Sequence, residues 1–417
     1  MITWGILSPE ATPSFRRQQT LGLAGAVRHF NDRSVPGLGD LWFAMPVIWS
    51  VIAVSIANSM KRPALPVGNA VEALVMKRAL VKASGSETGI ADDARLRGKR
   101  KLAGQEARPS FQTLIRPGVY VVQPIRMGMI QPLVSLGFVK GSRYSSFTLA
   151  EAGERLLKIG DVRHAKDLIA RWAAGEAPRG LDAALDGLSP FALPGKAASN
   201  LIRSQLLDGN DDGSLRRRSL VTLGQGPSSA QLEQDAPLPG ISVRHWKDLR
   251  AGAAFMDLQH AALVVLSRLD DKLHQLRDQN PSATLSVTKA AQVAASELGV
   301  LQSLADLLQA RIWEGDEQAS RAFLRECLSL QPEALIAKLA ERDSSVIALR
   351  DGALTLGPAG AHADGPVPRD PVAQGHSDAP FAPQLFRLKN LDHLNRNLMG
   401  ENNTRQNEPA AAAQDLA

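Results

Sequence analysis

Two pairs of residues have the spacing of metal ligands, Asp257-x-x-His260 and Asp271-x-x-His274. Side chains three apart share a helix face, and an acid three residues before a histidine serves metal sites in helical bundles. The pairs begin fourteen residues apart, which is about 21 Å along a helix. They cannot share one ion, and no second pair completes either set, so they read as surface polar residues. The turn Asp208-Gly-Asn-Asp-Asp-Gly213 has the flavour of a calcium loop, but the closing glutamate is missing and Arg216, Arg217 and Arg218 follow. It reads as a turn that ends a helix. Cys327 lies in Phe323-Leu-Arg-Glu-Cys-Leu among apolar positions, with no base fixed beside it. It reads as a buried thiol, because a nucleophile needs an activating partner.

Other chemistry lacks its anchors. The eight histidines form no His-Glu-x-x-His cluster, and Gly-x-Ser-x-Gly is absent. Ser34-Val-Pro-Gly-Leu-Gly-Asp40 precedes an apolar stretch, as an anion-binding loop would, but its spacing is neither a Walker A nor a dinucleotide fingerprint. It reads as a tight turn, with Asp40 capping the next helix. One cysteine excludes an internal disulfide framework and a cysteine-cluster metal site. No catalytic residue, metal, cofactor or small-molecule substrate is expected.

Charge gives the next lead. The 417 residues hold 48 Lys and Arg against 42 Asp and Glu, a net +6, which permits a polyanionic partner without demanding one. Arg95, Arg97, Lys99, Arg100 and Lys101 crowd into seven residues. That run reads either as a solvated surface or as a strip that touches phosphates. With 5% aromatic residues there are few platforms on which unpaired bases could stack.

Beside this run, residues 108–158 carry a recognisable order. A helix over Ile125–Leu136 ends at Gly137 in Leu136-Gly-Phe-Val, a polar hairpin with Gly141 at its turn covers Lys140–Ser146, and Phe147-Thr-Leu-Ala-Glu-Ala-Gly-Glu-Arg-Leu-Leu opens the next helix. This resembles the second half of bacterial winged helix-turn-helix domains, where a recognition-type helix ends in Leu-Gly and a two-stranded wing follows. The resemblance implies that Arg126, Gln131 and Ser135 on the helix, and Lys140 and Arg143 on the wing, would meet DNA. Gly128 and Pro132 are poor in a helix interior, which favours a structural or protein-binding version, as such frames serve both uses.

The elements that must position these residues are mostly helices, as the Ala, Leu and Arg richness favours. A short apolar opening (Ile2, Trp4, Ile6, Leu7) and two prolines lead into a helix through Leu21, Leu23, Ala26, Val27 and Phe30. Leu41–Met60 is uncharged over twenty residues, long enough to cross a bilayer. Pro46 and a polar edge of Ser50, Ser55, Asn58 and Ser59 favour a buried soluble helix. The region 1–107 is thus an amino-terminal helical region, and 108–222 is the winged-helix-like segment with a helical extension. The Gly/Pro/Ser-rich stretch 223–240 reads as a linker. An all-helical bundle is expected over 241–350, interrupted near Gly299. Residues 357–383 form a second, flexible linker. Leu385, Leu388, Leu391, Leu394 and Leu398 then recur every three or four residues on a terminal helix at 384–400, which either docks on its own chain or enters a partner groove. A disordered tail, 401–417, follows.

The expected fold is therefore mainly α, with an amino-terminal α(+β) module, a carboxy-terminal bundle and a tethered terminal helix. The expected function is that of a non-catalytic adaptor or scaffold in a bacterial multi-protein assembly, such as an accessory or phage-defence system, with other protein subunits as partners. The alternatives are a winged-helix protein that binds duplex DNA and a component anchored in the inner membrane through residues 41–60. The leading reading is cytoplasmic.

Overall fold

The computed structural model describes residues 20–84, 93, 95–224, 226–309, 318–361 and 385–401. The chain is mainly helical. In order, the helices are α1 (Ala24–Ser34), α2 (Met45–Ser59), α3 (Ala64–Ala83), α4 (Lys99–Ala103), α5 (Phe111–Leu114), α6 (Ile130–Ser135), α7 (Glu151–Lys158), α8 (Gly160–Ala173), α9 (Leu181–Gly187), α10 (Lys196–Leu207), α11 (Asp212–Thr222) and α12 (Ser229–Leu232). They continue as α13 (Val243–Gln279), α14 (Val287–Val293), α15 (Ala295–Gln309), α16 (Gln318–Ser329), α17 (Pro332–Arg342), α18 (Pro358–Ala361) and α19 (Phe386–Leu398). The strands are β1 (Val139–Lys140), β2 (Thr148–Leu149), β3 (Leu285–Ser286), β4 (Ile347–Arg350) and β5 (Ala353–Leu356).

Contacts divide the chain into a larger unit, Asn31–Trp246 with Leu385–Ala417, and a smaller one, Met1–Phe30 with Lys247–Gln384. This differs from the expected order of domains. No boundary falls at residue 107, because α3 binds elements on both sides of it. Lys77 Nζ donates to the Leu102 carbonyl at 2.8 Å, and Tyr120 Oη donates to Glu72 at 3.0 Å. The stretch 223–240 lies inside the larger unit. Leu232 is buried there, and Trp246 Nε1 donates to the Gln234 carbonyl. Of the expected linker 357–383, residues 358–361 form α18, and 362–384 lie outside the described residues, as do the apolar opening at 2–7 and the tail from 402.

In the larger unit, α2 is apolar on every side, and a helix of that kind needs burial all round. Its neighbours α3, α7 and α8 provide it. Thirteen of its fifteen residues are buried, including Ser50 and Ser55, so only Asn58 and Ser59 of the expected polar edge are exposed. Pro46 falls in the first turn, where its missing N–H costs nothing. The N-cap is Ala44 rather than Asp40, because four further residues turn before the helix begins.

The helix expected over Ile125–Leu136 is two pieces, a 3-10 turn over Ile125–Met129 and then α6. Pro132 is the third residue of α6, where its lack of an N–H costs no helix bond. The hairpin forms as expected, with Val139 opposite Leu149 and Lys140 opposite Thr148. α19 packs on α10 and α11. Leu385, Leu391, Leu394 and Leu398 are buried and Leu388 is half-buried, so in this position the five leucines present no open face to a partner. Polar anchors fix the helix. Asn397 Oδ1 accepts from the Ala44 amide at 3.0 Å, and Arg387 pairs with Asp32.

The smaller unit is not all-helical. β3, β5 and β4 form an antiparallel sheet in that order, with Ile347 opposite Leu356 and Leu285 opposite Leu354. α14 and α17 pack together against this sheet. The helical break falls at Ala294, and Gly299 lies within α15.

Both units use the same hairpin-to-helix junction. Each second strand runs into Thr-Leu-x-x-Ala-Gly, residues 148–153 and 355–360. The Ala150 amide donates to the Phe138 carbonyl, and the Gly357 amide donates to the Val346 carbonyl. Gly153 and Gly360 sit so close to those same carbonyls that a Cβ would overlap the oxygen.

Candidate functional site

The basic run and the hairpin share one buried anchor. Gly68 and Glu72 lie one turn apart on the same face of α3. Gly68 leaves room for Tyr144, whose ring would sit 2.7 Å from a Cβ there. Glu72 is 2% exposed. It accepts from Tyr120 Oη at 3.0 Å, the Ile125 amide at 2.7 Å and the Arg126 amide at 3.0 Å. Burial raises its pKa, while the Arg126 and Ile125 amides, the Tyr120 hydroxyl and the Arg126 charge pull it down less strongly. Tyr120 is held well above the usual phenol range, by burial first and the Glu72 charge second.

Arg126 ties this centre to the hairpin. Its Nε donates to Asn69 Oδ1 at 2.6 Å, and its guanidinium lies 5.3 Å from the Tyr144 ring centroid. Tyr144 in turn bonds Ser50, and burial pushes its pKa up to about 12. On the other side, Tyr120 packs against Gly98, where a Cβ would lie 2.7 Å from the ring. Gly98 is the left-handed N-cap of α4, a conformation that costs glycine little. Lys101 Nζ reaches the Gly118 carbonyl at 2.7 Å. α4 and the hairpin are therefore rooted in one polar core.

The eight expected nucleic-acid contacts divide by exposure. Arg100, Lys101, Lys140 and Arg143 are exposed, and Arg97 and Lys99 are half-buried. Arg95 and Arg126 are buried. Arg95 pairs with Asp93 at 2.7 Å and lies over the Phe191 ring, so it holds the loop and does not reach outward. The side of α6 that meets residues 34–40 is covered as well, while Val134 and Ser135 remain exposed. Gln131 Nε2 donates to Asp32 Oδ1 at 2.6 Å, Ser135 sits against Gly37, and Pro132 and Gly128 pack on Gly39 and Asp40. The stretch 34–40 thus acts as a cover over α6, and the two glycines, at φ +72° and +54°, allow its close approach.

The other candidates do not converge. No group of three His, Cys, Asp or Glu side chains among the described residues is placed to hold a metal. His274 Nε2 lies 3.5 Å from Asp270, one turn away on α13. Asp211 caps α11 by accepting from the Ser214 amide and hydroxyl, which lowers its pKa, and Asp212 pairs with Arg216. The acidic turn is thus consumed in starting a helix. Cys327 is fully buried, and burial pushes its thiol up to about 12. In the native protein a disulfide-exchange reagent should leave it unmodified, with one thiol appearing on denaturation; rapid native labelling would contradict that placement.

Sequence reading missed Glu72, Tyr120 and Tyr144. A signal for the first was present: Glu72 is the only acid in α3 and interrupts its apolar run from Ala70 to Met76, and a charge in such a run requires partners. Compared with known family models, curated proteins and solved structures, the chain matches none.

Proposed function

We propose that the chain is a non-catalytic adaptor or scaffold subunit of a bacterial multi-protein assembly, working in the cytoplasm. The cover over α6 carries this reading. Arg126 and Gln131, two of the three side chains that a groove-reading helix would use, are taken up by Asn69 and Asp32, while Ser135 stays exposed beside the Gly37 turn. A winged-helix-like frame covered in this way suits a protein-binding module better than a reader of bases. The apolar side chains exposed on the same segment agree, with Val122 81% and Met127 50% exposed. Affinity purification of the tagged chain from its native host should bring down at least one protein in fixed ratio. A lone monomer with no companion ends the proposal.

The cytoplasmic placement has its own support. α2 is fifteen residues long and buried, shorter than the roughly 20 residues that span a bilayer. One described helix, α13, is long and apolar enough to cross, and 67% of its apolar window is buried. After a carbonate wash the protein should remain in the supernatant; recovery in the membrane pellet would overturn the placement.

A further inference from the structure

We propose that the larger unit also grips the phosphodiester backbone of a nucleic-acid duplex without reading its bases, through Arg100 and Lys101 on α4 and Lys140 and Arg143 on the hairpin. The charge distribution points there first. Residues 93–151 contain ten Lys and Arg against three acids, Asp93, Glu106 and Glu151, and three of the ten are engaged, Arg95 by Asp93, Arg108 by Asp182 and the buried Arg126 by Asn69. The basic surplus is still concentrated on this segment. The four named cations are exposed. Their two carriers are held together by buried groups, with Gly98 against Tyr120, Tyr120 on Glu72, Glu72 on the Arg126 amide and Arg126 over Tyr144. The cations thus sit on a fixed frame, which spares part of the ordering cost on binding.

Duplex backbone fits this surface better than other polyanions. Tyr120, Tyr144, Phe111, Phe138 and Phe147 are all buried, so no aromatic ring of the segment is placed to stack on unpaired bases. The exposed apolar side chains of the segment, Val122 on a loop, Met127 on the 3-10 turn and Val134 on α6, lie on three separate elements and do not make the single apolar face that a membrane-surface helix needs. With Arg126 and Gln131 taken up, Ser135 is the one exposed polar side chain left on α6, so the cations offer mainly phosphate contacts, which position a protein but carry no sequence information. The smaller unit supplies an internal control. Its hairpin tip is Arg350-Asp351-Gly352, where an acid follows the arginine directly.

The test is fluorescence anisotropy of the full chain with a short mixed-sequence duplex, across about 50 to 200 mM salt. Four phosphate contacts predict a slope of log affinity against log salt of about −3.6, a loss of roughly a hundredfold over that range. The double variants Arg100→Ala/Lys101→Ala and Lys140→Ala/Arg143→Ala should each flatten the slope by about 2. Arg350→Ala should bind as the parent does, and AT-rich and GC-rich duplexes should bind equally. The four substituted side chains are exposed, and an unchanged circular dichroism spectrum would confirm the fold of each variant. No binding at low salt overturns the proposal, as does binding that survives the quadruple variant. Capture of polyglutamate or phosphatidylserine vesicles without capture of duplex assigns the cations to an acidic protein or a membrane and also overturns it. Recovery of a protein partner does not enter this test, so either proposal can fail alone.

Discussion

Glu72→Ala should destabilise the larger unit by about 3–5 kcal/mol. The substitution strips three donors of their acceptor at once, the Tyr120 hydroxyl and the Ile125 and Arg126 amides. A buried donor left without a partner costs about 1–3 kcal/mol. Tyr120 is buried, at 5% exposed, so its share falls toward the upper end. The loss is a large part of the roughly 5–15 kcal/mol that holds a typical protein folded. Chemical denaturation read by near-ultraviolet circular dichroism would measure it, and a loss below about 1 kcal/mol would show that the three donors find other acceptors. Loosening this centre should also weaken duplex binding, because α4 and the hairpin would lose their common root.

Glu72→Gln separates charge from shape. The pKa of Glu72 is raised in the fold above its ordinary value of 4.5, so the folded state holds the proton more tightly than the unfolded chain. The contribution of this group to stability is then fully present below the ordinary glutamate range and declines as pH rises through it, until the raised value is passed. The glutamine variant lacks that titration. Wild type should therefore lose stability relative to Glu72→Gln as pH increases from 4.5 upward. A difference that stays flat with pH, or grows in favour of wild type, would contradict the assignment of burial as the dominant cause.

The second large effect concerns the junction that both units share. Gly153→Ala should cost about 2–3 kcal/mol, and Gly360→Ala should cost a similar amount. In each case the added methyl overlaps a carbonyl oxygen, that of Phe138 or Val346, which the following turn already fixes through the Ala150 or Gly357 amide. Backbone cannot swing aside as a flexible side chain can. Leu149 and Leu356 flank the two methyl positions at 3.3 Å and close the other route. Gly160→Ala is the control, since nothing lies within 4 Å of its Cβ and alanine suits a helix better than glycine. Thermal unfolding of the three variants would decide. A neutral Gly360→Ala beside a costly Gly153→Ala would mean that the smaller unit does not rely on this junction.

How far the sequence discloses this molecule depends on the range of the forces involved. The apolar α2, the long α13 and the hairpin 139–149 are written in local pattern, because burial on all sides, a 3.6-residue period and a polar turn each leave a trace within a few residues. β4 and β5 left such a trace too. Asp351-Gly352 is a dipeptide typical of tight hairpins, and both residues adopt positive φ, +49° and +75°. The flanking strands are only four residues long, too short for alternation to stand out against a helical background. The return of α19 to the larger unit depends on Ala44, Asp32 and Arg203, residues far away in the chain. The Glu72 centre likewise joins residues 48 to 54 positions apart. The basic run was visible as charge, but its division into buried Arg95 and exposed Arg100 is set by Asp93 and Phe191. The cover over α6 was the least legible feature. Residues 34–40 read correctly as a turn, yet what that turn covers is fixed only by tertiary packing.

That cover is the point on which the account rests, and selection from a library of random duplexes tests it most directly. The full chain, incubated with the library at low salt and carried through repeated rounds, should retain duplexes without enriching any base pattern. Opening the cover with Gln131→Ala, which breaks the bond to Asp32, should not create one in a helix whose one exposed polar side chain is Ser135. A reproducible consensus selected by the wild-type chain and lost in Gln131→Ala would show that α6 reads bases, and would replace the adaptor with a sequence-specific DNA-binding protein.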